Sequence, residues 1–358
     1  MSRRGHFLKS SRQTSYLPVD SWPNADQEMW THIHRRGDVY DTGGRGAHWE
    51  QRTVRNVSQG YGTWLKWLSE VEPEAMLEEP LARATRSRLA QYTKALEDRS
   101  LAPSTIQIHI QRLGQMMAAA AGTNEFGWIF VGANRLKPAS VRNKQARIVP
   151  SYHLAELGFQ LMRQAESLRP PFSPAARFRL GLQIAFMAYR PVRLGNMTQM
   201  VLGKHLIRND TGDYHTCFRE DETKTGIEIA FDVPRSLTHA FDTYLALYRP
   251  QLFSGFAEMT SVWVSRDGGP MTSSAISDQF IKATRKKFGF HINPHMFRDC
   301  AATTIAQDDP EHASAIAKIL GHSTMATSEK HYNQARMIDA AHAVHAAFEP
   351  YRKSGARA

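Results

Sequence analysis

Along most of the chain the apolar positions recur at helical spacing, with one interruption by strand-like alternation. The start is different: residues 1 to about 47 are rich in Gly, Arg, Ser and Asp, and RRGDVYDTGGRGAH predicts loop or a loosely docked arm. From Trp49 the pattern turns helical. HWEQRTVRNVSQGYGTWLKWL and TRSRLAQYTKALEDRS set apolar side chains three and four residues apart, the spacing that lines one helix face. LAPSTIQIHIQRLGQMMAAAAG continues it, opening on Pro103 with Ser104 as candidate N-cap. These segments predict a compact helical domain over residues 49–133, preceded by an extension, residues 1–48, of unassigned role.

NRLKPASVRNKQAR, residues 134–147, breaks the pattern with Arg135, Lys137, Arg142, Lys144, Arg147, a proline and no acidic residue. Like charges at this density repel unless something neutralises them, which favours a linker that tracks phosphates over one that is merely solvated. A second domain is predicted over residues 148–358. It begins with the apolar helix PAARFRLGLQIAFMAYR and then alternates with period two in YHTCFRE and GIEIAFDVP. Ile227, Ile229, Phe231 and Val233 oppose Glu228, Ala230 and Asp232 there, and the intervening DETKTG makes the pair a hairpin. Helical spacing returns in SAISDQFIKATRKKFG, MFRDCAATTIAQ and HASAIAKILG. The expected fold is mostly α with a small antiparallel β-sheet, and no internal repeat is present.

Charge adds a partner to this outline. The 358 residues carry 45 Lys+Arg against 34 Asp+Glu, a formal +11, which favours a polyanionic ligand. Cys217 and Cys300 are far apart and match no C-x-x-C or zinc spacing, so neither a disulfide framework nor a thiolate metal site is suggested and a reducing setting fits. The basic N-terminus lacks an apolar signal core, and no stretch approaches the ~18 apolar residues of a membrane span. A cytoplasmic protein, nucleoid-associated if it binds DNA, is expected. The sequence shows no P-loop and no carboxylate metal cluster.

Candidate chemistry begins with His295 and Arg298. At positions i and i+3 of a helix, an imidazole and a guanidinium share a face and can converge on one anion. The same spacing recurs at His32 and Arg35, His109 and Arg112, and His205 and Arg208, where solvated surface pairs are the plain expectation. What sets the fourth apart is its place in a series. Arg193 precedes the hairpin, Lys224 sits on its turn, His295 and Arg298 follow, His322 comes directly after the helix-ending Gly321, and Tyr332 closes the row. Taken singly, each has a bland alternative: a surface arginine, a turn lysine, a histidine capping a helix end, a tyrosine packing a helix.

Arg, Lys, His-x-x-Arg, Leu-Gly-His and Tyr in this order resemble the tyrosine recombinase, or phage integrase, family, and the resemblance runs from about residue 49 to 345. LAPSTIQIHIQRL is similar to a DNA-contacting helix of that family's core-binding domain, which implies DNA contacts for Ser104, Thr105 and Arg112. TKTG looks like its lysine hairpin, and GGPMTSSAISDQF like the segment before its His-x-x-Arg helix. The resemblance implies a helical, SAM-like core-binding domain and a mixed catalytic domain closing as a C-clamp on duplex DNA. It further implies a homotetramer on recombination sites that exchanges strands through a Holliday junction, with accessory proteins an open matter.

Its chemistry is consistent with these side chains. Two guanidiniums, Arg193 and Arg298, suit the non-bridging oxygens of a phosphodiester. Tyr332, with a phenol pKa ordinarily near ~10, needs a base and positive potential to attack phosphorus. The family roles carried onto this chain make His295 that base, His322 a phosphate ligand and Lys224 the acid for the departing 5′-oxygen. Energy kept in the phosphotyrosine ester makes rejoining independent of ATP and metal.

Three places depart from the family pattern. Tyr332 lies ten residues after His322, one more than is common, which touches its delivery in cis or in trans. Asn196 stands where many members carry an acid, and Asp299 where histidine is frequent. The Ala-rich stripe in DAAHAVHAAFEPYRKSGARA suits docking on its own domain or on a neighbouring protomer. Two other functions stay open: a type IB topoisomerase using the same chemistry on one duplex, and a catalytically silent DNA-binding protein. Integration, excision, resolution and transposition are not distinguished by these residues.

Overall fold

The computed structural model describes residues 15–121, 125–136, 145–252 and 259–308. His322, Tyr332, Lys137, Arg142, Lys144 and the Ala-rich C-terminal stripe lie outside the described residues. The chain divides into two compact units, residues 1–142 and 143–358. Each has its own apolar core.

In the first unit, helices α1 (Asn24–His34), α2 (Gln51–Val71), α3 (Arg86–Asp98), α4 (Pro103–Ala121) and α5 (Gly127–Arg135) surround the core. The predicted stripes supply it: Tyr61, Trp64 and Leu68 from α2, Leu89 and Tyr92 from α3, Ile110 and Leu113 from α4 are buried. A Cβ on Gly60 would sit 2.5 Å from Cβ of Arg112, so glycine is what lets α2 and α4 approach this closely.

Two sequence expectations for this unit need correction. Pro103, not a residue after Ser104, opens α4: the amides of Thr105 and Ile106 donate to the carbonyl of Ala102 at 2.8 and 3.1 Å, so Ala102 is the cap and Ser104 lies in the first turn. Proline fits the first helical position because its fixed φ is helical and its missing N–H would have had no partner.

The second correction concerns the leading segment: RRGDVYDTGGRGAH is loop as expected, but the described residues before it form α1 and dock on the core rather than lying loose. Trp22 and Ile33 belong to the core, and Asp26, fully buried, accepts from Arg83 Nη1 at 2.9 and 2.7 Å and from the Tyr61 hydroxyl at 2.5 Å. Arg83 Nη2 donates in turn to the carbonyls of Met76 and Glu78 at 2.8 and 2.5 Å. The glycine-rich stretch folds back on α1, with Gly44 and Gly46 amides on the carbonyls of Arg35 and Ile33 at 2.8 and 2.7 Å. One buried ion pair leaves no mark in hydrophobic periodicity.

The second unit opens with α6 (Ser151–Ser167) against α7 (Pro174–Tyr189). Their backbones meet at two glycines: a Cβ on Gly158 would lie 2.6 Å from the Gly181 carbonyl oxygen, and one on Gly181 2.5 Å from that of Gly158. After α8 (Leu194–Thr198) come β1 (Leu206–Arg208), β2 (Tyr214–Phe218) and β3 (Ile229–Asp232), an antiparallel sheet in the order β1-β2-β3. The expected hairpin is β2–β3, with Cys217 opposite Ala230 and Phe218 opposite Ile229. β1 was not foreseen, because three residues are too few to show a period.

Helices α9 (Arg235–Thr243), α10 (Ser273–Phe288) and α11 (Pro294–Asp308) follow among the described residues. Thr272 caps α10 by accepting from the Ala275 amide at 3.2 Å, and Gly289 ends it at φ 81°. Buried Thr284 then receives the Ile292 amide at 2.9 Å, fixing the turn that leads into α11. Among the described residues no helix is long and apolar enough to cross a membrane.

Candidate active site

Helix α7 ends at Tyr189, and Pro191 forbids its continuation, so the chain turns and presents Arg193 as the residue before α8. The Arg193 Nη1 donates to the Thr225 hydroxyl at 3.4 Å, a long bond that reaches the β2–β3 turn. Lys224, next to Thr225, is exposed there. That turn is tightly made. The Gly226 amide donates to the Thr223 carbonyl at 3.2 Å with Gly226 at φ 63°, and the Thr223 hydroxyl donates to the Ile227 carbonyl at 2.8 Å while accepting from the Ile227 amide at 3.0 Å.

Arg298 arrives from α11. Its Nη1 donates to the carbonyl of Pro191, two residues before Arg193, at 2.6 Å, which ties α11 to the same turn. Only 6 % of Arg298 is exposed. Burial, and then the neighbouring charge of Arg193, push its pKa down to about 10, while Asp299 opposes the shift. Arg298 is thus held in a poorly hydrated place where the Arg193 charge is felt, an arrangement that suits an anion offering two oxygens. His295, one turn earlier, is exposed at the start of α11, whose first turn is set by Asn293 Oδ1 accepting from the Met296 amide at 3.1 Å.

Four of the six expected catalytic residues are therefore described, and of these Arg193, the Lys224 turn and Arg298 are linked by direct bonds through Thr225 and Pro191. His322 and Tyr332 lie outside the described residues. Of the expected DNA contacts, Ser104 is exposed, Thr105 partly buried, and Arg112 Nη2 donates to Asn56 Oδ1 at 3.3 Å. Arg135 is exposed at the end of α5, and Arg147 Nη1 donates to His291 Nε2 at 2.8 Å.

Sequence reasoning passed over several residues around this turn. Asn196, noted only as a departure from the family pattern, donates its side-chain amide to the Glu222 carbonyl at 2.9 Å. His205, expected as half of a solvated surface pair, is buried and stacks on Phe218 with ring centroids 5.2 Å apart. Its Nδ1 accepts from the Val201 amide at 3.0 Å, so Nε2 carries a hydrogen and donates to Glu222 Oε1 at 3.1 Å. The only cue available was an acid two residues before the lysine in EDETKTG, and acids are ordinary in turns.

The model of the phage integrase family matches residues 160–338, half of the chain. No curated protein matches the sequence. Similar solved structures include XerH site-specific recombinase bound to difH substrate in a pre-cleavage complex, at TM-score 0.51 and 14% identity, covering 81% of this chain and 78% of that one. XerA recombinase is similar at TM-score 0.40 and 15% identity, covering 88% and 98%. At 14% identity the XerH likeness bears on the fold.

Proposed function

The chain belongs to the phage integrase family of tyrosine recombinases, and from that premise we propose that it cuts and rejoins duplex DNA at specific sites through a 3′-phosphotyrosyl intermediate. The observation that carries this reading is the tie between Arg193, the Lys224 turn and Arg298. A cationic pair of this kind, with one member depressed by burial, is suited to a phosphodiester whose non-bridging oxygens demand more stabilisation in the transition state than in the ground state.

In the proposed reaction Tyr332 Oη attacks phosphorus, and the P–O5′ bond breaks as the P–Oη bond forms. His295 takes the phenolic proton, and Lys224 gives a proton to the departing 5′-oxygen. Arg193 and Arg298 hold the non-bridging oxygens, and His322 donates a further hydrogen bond to the phosphate. The reverse attack by a 5′-hydroxyl releases Tyr332 and rejoins the strand, so neither ATP nor a metal is consumed. The helical unit, with Ser104, Thr105 and Arg112, and the basic residues Arg135, Lys137, Arg142, Lys144 and Arg147 would hold the duplex, with four protomers on paired sites. In this reading the reaction integrates, excises or transposes a mobile element by way of a Holliday junction.

The test is denaturing capture. The protein is expressed with its native DNA, cells are lysed in detergent, and DNA that remains attached to protein is recovered and its ends sequenced beside a Tyr332→Phe control. Adducts that vanish in the control, with ends clustered at one site, are the expected result. Dispersed ends would indicate a topoisomerase. Absence of adducts despite binding would indicate a DNA-binding protein without cleavage, and adducts persisting in the control would move the nucleophile to another residue, Tyr351 first.

A further inference from the structure

Between the arginine turn and the lysine turn lies a group of side chains that the reaction above does not use. Glu222, two residues before Lys224, has a side chain only 16% exposed and accepts four donors at its carboxylate and carbonyl. Lys204 Nζ and His205 Nε2 meet Oε1, the Arg219 amide donates to Oε2 at 3.0 Å, and the Asn196 amide group donates to the main-chain carbonyl at 2.9 Å. Lys204 and His205 come from the start of the sheet, Arg219 from the end of β2, and Asn196 from α8, beside Arg193. One residue therefore joins three stretches of backbone at the base of a turn also held by the Thr223 hydroxyl and by the long Arg193 bond to Thr225.

We propose that Glu222 is a positioning residue, with Asn196 and His205 its partners, that sets the Lys224 turn against Arg193. The inference rests on the reading in which Lys224 protonates the leaving 5′-oxygen. An exposed lysine on a short turn samples many orientations, and a proton donor is effective only within hydrogen-bond reach of its acceptor. Fixing the turn's base through charge-assisted bonds limits that freedom without touching DNA. Burial of the neutral His205 ring between Phe218 and Glu222 makes the anchor stiff, because the imidazole is spanned by hydrogen bonds at both nitrogens.

Two measurements test it on the full-length protein. The first needs no DNA: amide exchange over residues 219–227 in wild type and Glu222→Ala. About tenfold or more loss of protection at Gly226 and Ile227, with α7 unchanged, is expected for an anchor opened locally. Unchanged protection at the turn overturns the proposal, as does an equal loss throughout the unit, and Glu222→Gln supplies the same reading if the alanine variant does not fold.

The second uses an oligonucleotide duplex carrying the sequence recovered by covalent capture, made with oxygen or with sulfur at the bridging 5′ position. Sulfur leaves as a thiolate and needs no proton, so it removes the demand on the general acid while P–S breaks and P–Oη forms as before. Lys224→Ala is expected to lose about a hundredfold or more in cleavage with oxygen and to recover most of it with sulfur. Glu222→Ala should lose about tenfold to a hundredfold and recover likewise, because a misplaced group costs that much. A Glu222→Ala defect that persists with sulfur overturns the positioning role. If Lys224→Ala itself is not rescued, the assignment of Lys224 as the acid fails, and the exchange measurement then decides alone whether Glu222 anchors the turn.

Discussion

Two arginines lie inside this protein in different company. In the first unit Arg83 is 1% exposed, with Nη1 on both oxygens of Asp26 and Nη2 on two carbonyls. In the second unit Arg298 is 6% exposed, bonds the Pro191 carbonyl and has Arg193 near enough to lower its pKa. The first arrangement compensates a buried cation within the fold. The second brings cations together, which a fold optimised only for stability would not do, and sites that sacrifice local consistency in this way are characteristically functional. The difference separates a buried arginine paired with a buried carboxylate from one held beside a second arginine.

Removing the charge should expose that difference. Arg83→Met leaves Asp26 as a buried carboxylate without its cation, and is expected to cost about 3–5 kcal/mol of stability, read as a fall in the denaturant midpoint. Replacing both partners, as Asp26→Leu with Arg83→Met, should recover most of that loss, since a well-packed apolar pair often matches a buried ion pair. If the single and double variants are equally unstable, packing around α1 rather than charge compensation is what the pair supplies.

Arg298 should divide its effects the other way. Arg298→Ala is expected to slow formation of the covalent adduct by about 10²–10³, the loss found when one donor to a developing oxyanion is removed. Binding to the same duplex should change far less. Arg193→Ala should behave alike, and a loss of binding equal to the loss of rate would make both residues backbone anchors instead. The stability arm is the sharper one: Arg298→Met should cost clearly less than Arg83→Met, because it relieves the desolvation and the Arg193 repulsion that act on the guanidinium. A drop as large as that of Arg83→Met would erase the distinction between the two arginines.

How much of this was readable in advance follows from what periodicity encodes. The stripes of α2, α3 and α4 and the alternation of β3 are sums over many residues, so they survive without tertiary information. The order of Arg193, Lys224, His295 and Arg298 was equally visible as a motif, but the bonds that join their turns were not. Asn196 to the Glu222 carbonyl, and His205 to the Glu222 carboxylate, depend on three segments meeting in space. Packing of α1 escaped for the same reason, because Asp26 and Arg83 are 57 residues apart and each looks like a surface charge.

The smallest effect concerns acid. Hydrogen bonds from Lys204 first, then the Arg219 amide and His205, hold the Glu222 carboxyl at about 2, below its ordinary 4.5, against a smaller opposing push from burial. A depressed carboxylate contributes stability that is whole above 4.5 and is lost as pH falls toward 2. Protection of the Gly226 and Ile227 amides, corrected for intrinsic exchange, should therefore decline between pH 5 and pH 2 in wild type and stay flatter in Glu222→Gln. The contrast with the interior is the point of the measurement. The anchor of the Lys224 turn includes the half-exposed Lys204 and a Glu222 side chain still 16% exposed, whereas Arg83 and Asp26 are sealed, so the turn should loosen while amides of α2 beside Tyr61 remain protected. Identical pH profiles for wild type and Glu222→Gln would mean that Asn196 and Thr223 hold the turn without the carboxylate, and that charge organises this unit only where its two arginines meet.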